Sequence, residues 1–133
     1  RSNITAGKHS LVIDEPPSRH GNDAGMLPLQ ALMAAFVSCT HVVANQIASE
    51  LGIVFRDSDI AVTGTFDTRC FTGETPVDPP FPEIDMSVTV ATDATPAQLE
   101  NLKAQLRWRC PVAATFIGAG TKINETWNVT GTD

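Results

Sequence analysis

Cysteine is scarce in this chain: Cys39, Cys70 and Cys110 are an odd number, far apart and in no paired spacing. That pattern excludes the disulfide framework by which small secreted domains are held together. Concentrated positive charge is also missing. The formal net charge is −6, and the one basic cluster is Arg107-Trp108-Arg109. Nucleic acid and anionic membrane surfaces both demand such charge and are not expected partners. The three histidines, His9, His20 and His41, show no ligand spacing with the cysteines or with each other, so no metal site is expected. Gly118-Ala119-Gly120 lacks the strand-before-helix setting of a phosphate loop. Arg1–Asp14 contains no basic start followed by an apolar run. The expectation is therefore a chain without a leader, in a reducing cytoplasm, where the sequons at Asn3, Asn124 and Asn128 go unglycosylated.

What is present is apolar residue in quantity. Hydrophobic side chains make up 42% of 133 residues, enough for a single domain, residues 1–133, to build a real core. No Asp, Glu, Lys or Arg lies between Asp23 and Glu50. Gln30, Ser38, Thr40, His41, Asn45 and Gln46 interrupt that stretch, so its unbroken apolar part falls short of the ~20 residues a bilayer requires. A buried helix of a soluble protein is the expectation. Leu29, Leu32, Phe36, Cys39, Val43 and Ile47 recur every three or four residues in one stripe, which Met33, Val37 and Ala44 widen. The helix would run from Pro28 to Leu51, roughly 36 Å at ~1.5 Å per residue, with Gly52 as its stop. A single chain of this size has difficulty covering so long and apolar a helix, which points to a partner chain.

Around it the pattern is mixed. Ser10–Ile13 is a short β-prone run, and the Pro-, Gly- and Asn-rich residues 15–28 mark an ordered loop. Ile60, Val62, Gly64 and Phe66 alternate with polar or small residues, as do Ile84, Met86, Val88 and Val90, predicting two half-buried strands. Residues 72–83, with four prolines, form a loop between them. Thr95-Pro96-Ala97-Gln98 predicts a capping box and a helix whose apolar face is Leu99, Leu102, Leu106 and Trp108. Pro111 breaks the chain after Cys110 and can start a short helix, Val112–Ile117, before a last strand over Thr121–Val129. Strands and helices in separate runs predict an α+β fold.

If the protein is an enzyme, its chemistry belongs to Cys39 and Cys110. Taken alone, Cys39 on an apolar helix face is more commonly core filling. Cys110 sits where an N-cap would, beside Arg107 and Arg109, and both a helix N-terminus and positive charge favour a thiolate. Cys70, between Arg69 and Phe71 at a strand end or in a loop, shows no partner pattern. His41 is two residues from Cys39, about 200° away on a helix at ~100° per residue, and is a poor Cys–His partner. Asp14-Glu15 and Asp57/Asp59 read as turn or solvated carboxylates.

Two stretches resemble the OsmC/Ohr family. One is His9-Ser10-Leu11-Val12-Ile13-Asp14-Glu15-Pro16 followed by Gly21 through Thr40, with its alanine-rich Ala34-Ala35-Phe36-Val37-Ser38-Cys39 segment; the other is Cys110-Pro111-Val112. Asp14-Glu15-Pro16 further resembles the subgroup of OsmC-like chains that contain this Asp-Glu-Pro run. The resemblance implies an intertwined homodimer with long central helices among antiparallel strands. It also implies reduction of organic hydroperoxides by thiols. Cys39 would attack the peroxide and become a sulfenic acid, Cys110 would condense with it to a disulfide, and an external dithiol, of the lipoyl kind in relatives, would reopen the bridge. No cofactor is implied. The chain departs from the family's pattern where an acidic residue normally follows the helix-start proline and holds an arginine beside the reactive thiol. Leu29 and Gln30 stand there, and Arg1 and Arg19 are the arginines nearest the family's position. That departure motivates a second reading, a non-catalytic OsmC-like dimer that binds a small apolar ligand or partner.

Overall fold

The computed structural model describes residues 1–131. It divides into two compact units, Arg1–Ala35 and the remainder from Phe36 onward, which are described in turn.

In the first unit β1 (Ser2–Ala6) pairs antiparallel with β2 (His9–Ile13), in register from Ser2↔Ile13 to Ala6↔His9. Gly7 turns the hairpin at φ +60°, a conformation open to glycine without strain. The sequence pattern anticipated β2 but not β1, in which Ile4 is a lone large apolar residue between Asn3 and Thr5. The segment after β2 is the ordered loop expected, with a one-turn 3-10 helix at Pro17–Arg19. Asp14 organises it. Its buried carboxylate accepts from the backbone N–H groups of Glu15, Asn22 and Ala24 at 3.0, 3.1 and 3.1 Å, and its own N–H bonds Met26 O. These bonds, the one from Ala24 foremost, hold its pKa down at about 2.

α1 (Pro28–Glu50) begins in the first unit and continues through the second. Its first turn contains no acidic residue. Gln30 Oε1 accepts instead from Leu27 N at 2.9 Å, satisfying one of the N–H groups that a helix start leaves free. Within the second unit the buried face of α1 is Phe36, Thr40, Ala44, Ile47 and Ala48. That face is turned about one residue from the predicted stripe and leaves Cys39 and Val43 at its margin. The small side chains of Thr40 and Ala44 permit close approach there. The chain by itself leaves much of this helix uncovered, the difficulty expected for a single chain of this size: 28% of its most apolar 18-residue window is buried, and Val42 is 70% exposed. By length and composition alone, α1 could cross a membrane.

The rest of the second unit is a three-stranded sheet with helices. β3 (Asp57–Thr65), β4 (Glu83–Ala91) and β5 (Lys122–Thr130) lie in the order β3-β4-β5. β3 and β4 are antiparallel, and β4 and β5 parallel. A parallel pair needs a long crossover, supplied here by α3 (Pro96–Arg109) and α4 (Pro111–Gly118). β4 is the central strand and buries Ile84, Met86, Val88 and Val90 on one face, as the alternation predicts. The capping box of α3 is formed: Thr95 Oγ1 accepts from Gln98 N, and Gln98 Oε1 accepts from Thr95 N at 2.9 Å. Leu99, Leu102 and Leu106 are buried, but Trp108 is 71% exposed and does not belong to that face. It stands two residues past Leu106, about 200° around the helix. A one-turn helix, α2 (Arg69–Thr72), replaces the strand end or loop expected around Cys70. Asp67 accounts for it, taking Arg69 N–H on its carboxylate and the Cys70 thiol on its carbonyl.

Candidate active site

Both candidate cysteines lie in the second unit, and the fold brings them together. Cys39 is carried on α1, three residues beyond the buried Phe36. Cys110 is the hinge between α3 and α4, closing the first as its C-cap (its N–H bonds Leu106 O) and opening the second as its N-cap. Pro111 makes this so, because its ring keeps the preceding residue extended, here at φ −78° and ψ 108°. Phe116 of α4 packs edge-on against Phe36 of α1, ring centroids 5.6 Å apart, one side-chain contact fastening the two helices that bear the thiols.

The sulfurs are 3.3 Å apart, with the Cys110 thiol donating toward Cys39 Sγ. Both are free thiols. Cys110 has no exposed surface, whereas Cys39 is half-buried. A disulfide bond is about 2.0 Å long, so the pair needs to close by roughly 1.3 Å to bridge. Cys110 Sγ also accepts from Ala113 N at 3.4 Å and lies 3.9 Å from Thr40 Oγ1.

The expectation that Cys110 is the readier thiolate is overturned in part. The N-cap geometry is present, but burial pushes the Cys110 thiol up, and the neighbouring Cys39 adds to that; the Ala113 N–H and the Thr40 hydroxyl only oppose it. The two arginines do not help, because each has its own carboxylate. Arg109 holds Glu50 in a bidentate pair, N–O distances 2.6 and 2.8 Å, and Arg107 faces Glu125 at 3.6 Å. Among the described residues, neither thiol is hydrogen-bonded to a cation. Arg19 pairs with Glu15, and the Arg1 guanidinium bonds Asn3 Oδ1, both inside the first unit.

The remaining candidates are placed plainly. His41 bonds Ser58 Oγ through Nε2 at 3.2 Å, tying α1 to β3. Cys70 is engaged with Asp67 O at 3.2 Å. Among the described residues no group of three His, Cys, Asp or Glu side chains could hold a metal ion. A surface groove of about 560 Å³, lined by Lys103, Arg107, Glu125 and Trp127 among others, contains neither thiol. Sequence reasoning missed Thr40, the Glu50–Arg109 pair and Phe116 as parts of this region. The latter partners are 59 and 80 positions from theirs along the chain, beyond any local pattern.

An α+β fold that holds two free thiols in contact, one accessible and one buried, defines a dithiol protein. Comparison with known proteins gives its family: a model described as OsmC-like protein matches residues 20–126, and the chain belongs to that family. No curated protein matches the sequence. Among solved structures, the fold is shared with an OsmC-like protein from Mycoplasma pneumoniae. The TM-score is 0.79 at 22% identity, covering 96% of this chain and 87% of that one. An organic hydroperoxide resistance protein OsmC from Legionella pneumophila, described also as a predicted redox protein, gives a TM-score of 0.60 at 15% identity, covering 98% and 97%. One from Elizabethkingia anophelis, called an organic hydroperoxide resistance protein, gives 0.64 at 15%, covering 95% and 84%. OsmC-like proteins are soluble, so the length and apolarity of α1 do not by themselves make it a membrane span.

Proposed function

We propose that this protein is a thiol-dependent peroxidase that reduces organic hydroperoxides through Cys39 and Cys110. The observation that supports this most strongly is the pair of sulfurs 3.3 Å apart, the accessible one accepting from the buried one. Exposure divides the roles. Cys39 is within reach of an incoming peroxide, whereas Cys110, sealed from solvent, is suited to resolving what Cys39 becomes.

In the first step the Cys39 thiolate attacks the terminal oxygen of ROOH. A sulfur–oxygen bond forms, the O–O bond breaks, the alkoxide takes a proton and leaves as ROH, and Cys39 is a sulfenic acid. In the second step Cys110 Sγ attacks Cys39 Sγ. The sulfur–sulfur bond forms, the sulfur–oxygen bond breaks, and the departing hydroxide takes up a proton to leave as water. An external dithiol, of which a lipoyl group is one form, then reduces the disulfide and is itself oxidised to a disulfide. The working unit in this reading is a cytoplasmic homodimer, in which a second copy covers apolar surface of α1 such as Val42.

The test is consumption of cumene hydroperoxide by the purified chain with dihydrolipoamide. Wild type should turn over, and Cys39→Ser should abolish turnover. Equal turnover in Cys39→Ser removes Cys39 from the mechanism. No turnover in wild type favours the non-catalytic reading, in which the same dimer binds a small apolar ligand, consistent with neither thiol being hydrogen-bonded to a cation among the described residues.

A further inference from the structure

Thr40 is 1% exposed, and among the described residues its hydroxyl has one hydrogen-bond contact, Cys110 Sγ at 3.9 Å, the longer reach that sulfur permits. The direction of that contact follows from proton counting. A thiol has one proton, and the proton of Cys110 is directed at Cys39 Sγ. It cannot serve Thr40 as well, so Thr40 donates and Cys110 accepts. The second donor to the same sulfur is Ala113 N–H at 3.4 Å, in the first turn of α4. Two donors therefore converge on a sulfur that is sealed from water, which is the arrangement needed where negative charge must develop without solvent to stabilise it.

We propose that the Thr40 hydroxyl is a catalytic group of the resolving step, stabilising negative charge on Cys110 Sγ as that sulfur attacks the oxidised Cys39. The proposal rests on the peroxidase reading for its natural oxidant but not for its chemistry, since any oxidant that modifies Cys39 sets up the same attack. In the ground state Cys110 keeps its proton. As attack begins the proton passes out toward the departing group, and the hydroxyl contact to Thr40 shortens onto a thiolate. Thr40 precedes none of these bonds and contributes no atom to the product. Its neighbour Cys39 is oxidised while Thr40 itself contacts the other sulfur.

The experiment compares wild type, Thr40→Val and Thr40→Ser as full chains, each fully reduced. Valine keeps the shape and removes the hydroxyl, and serine restores it. Diamide is the first oxidant. The Cys39 thiolate adds to its N=N bond, and attack by Cys110 then forms the disulfide and releases the hydrazine. Cumene hydroperoxide is the second. The Cys39–Cys110 disulfide is followed by rapid acid quench, alkylation and mass spectrometry across neutral to mildly alkaline pH. Thr40→Val should close the disulfide about tenfold more slowly near neutral pH, the loss expected for one hydrogen bond to a charged group, and its pH–rate midpoint should move upward. Thr40→Ser should recover most of the wild-type rate and midpoint. A merely structural role would slow closure without moving the midpoint, and that result overturns the proposal, as does a Thr40→Val rate equal to wild type. If diamide closes the bridge in a Thr40-dependent manner while hydroperoxide leaves wild type unoxidised, the peroxidase reading falls and the role of Thr40 stands. If neither oxidant bridges the wild-type thiols, both fall.

Discussion

Phe116→Ala should cost both stability and redox chemistry, because one ring serves both. Phe116 is 7% exposed and meets two other rings: Phe36 at 5.6 Å and 63°, and Phe81 at 6.0 Å and 81°. Phe81 in turn touches Phe66 at 5.5 Å, so the four rings form a chain from α1 to the end of β3. Removing a buried phenyl forfeits on the order of 3–5 kcal/mol in transfer and cavity terms. The two edge-on contacts account for about 0.5–1.5 kcal/mol each within that sum. A domain of this size is stable by about 5–15 kcal/mol, so the loss is a large fraction of the whole. Phe116→Leu, which keeps most of the volume, should cost under about 2 kcal/mol. Urea denaturation at one protein concentration, with reductant present and the slope m checked for constancy, measures both variants. The same ring fixes α4 on α1, and Cys110 is the first residue of that α4 assembly. A displacement of about 1 Å can slow a positioned reaction on the order of a hundredfold, so diamide-driven closure of the Cys39–Cys110 bridge should slow far more in Phe116→Ala than in Phe116→Leu. A cost under about 1 kcal/mol would refute the packing argument. A large cost with unchanged bridging would refute the link between this packing and the thiols.

Two further outcomes are expected. The pKa of Glu50 is lowered from 4.5 to about 2, chiefly by its hydrogen bonds from Arg109. A depressed carboxylate stabilises the fold in full above its unfolded pKa and ceases to do so as pH falls through its folded value. Stability should therefore decline between about pH 4.5 and 2, and Glu50→Gln should decline less over that window in acid titrations followed by circular dichroism. In the first unit, a Cβ at Gly21 would overlap the Glu15 carbonyl and one at Gly25 the Val12 carbonyl, both backbone atoms that cannot swing aside. Gly25→Ala should lower stability by about 1–3 kcal/mol and expose the segment following β2 to limited proteolysis; unchanged melting and cleavage would contradict the close approach.

The sequence by itself determined what rests on neighbours along the chain. The 3.6-residue spacing located α1 to within a residue of its observed ends, and two-residue alternation located β3 and β4. The Thr95-Pro96-Ala97-Gln98 run formed the capping box it signals, and Cys110-Pro111 formed the helix break. Family motifs, also local, named Cys39 and Cys110. Where local signals were thin or ambiguous, the reading fell short: β1, with a single large apolar residue, was missed, and Trp108 was assigned to a face it does not share.

Only the tertiary structure decided what depends on chain segments far apart. The sequence could weigh the charges of Arg107 and Arg109 beside Cys110, but not that Glu125 and Glu50 neutralise them. It could not say that burial outweighs the helix terminus at that thiol. Nor could it select Thr40 over its neighbours on α1 as the hydroxyl that meets Cys110, seventy positions away. Hydrogen bonds, ion pairs and desolvation act over a few ångströms in space whatever the separation along the chain. The proton balance between two sulfurs is therefore a property of the folded site rather than of either cysteine's own sequence.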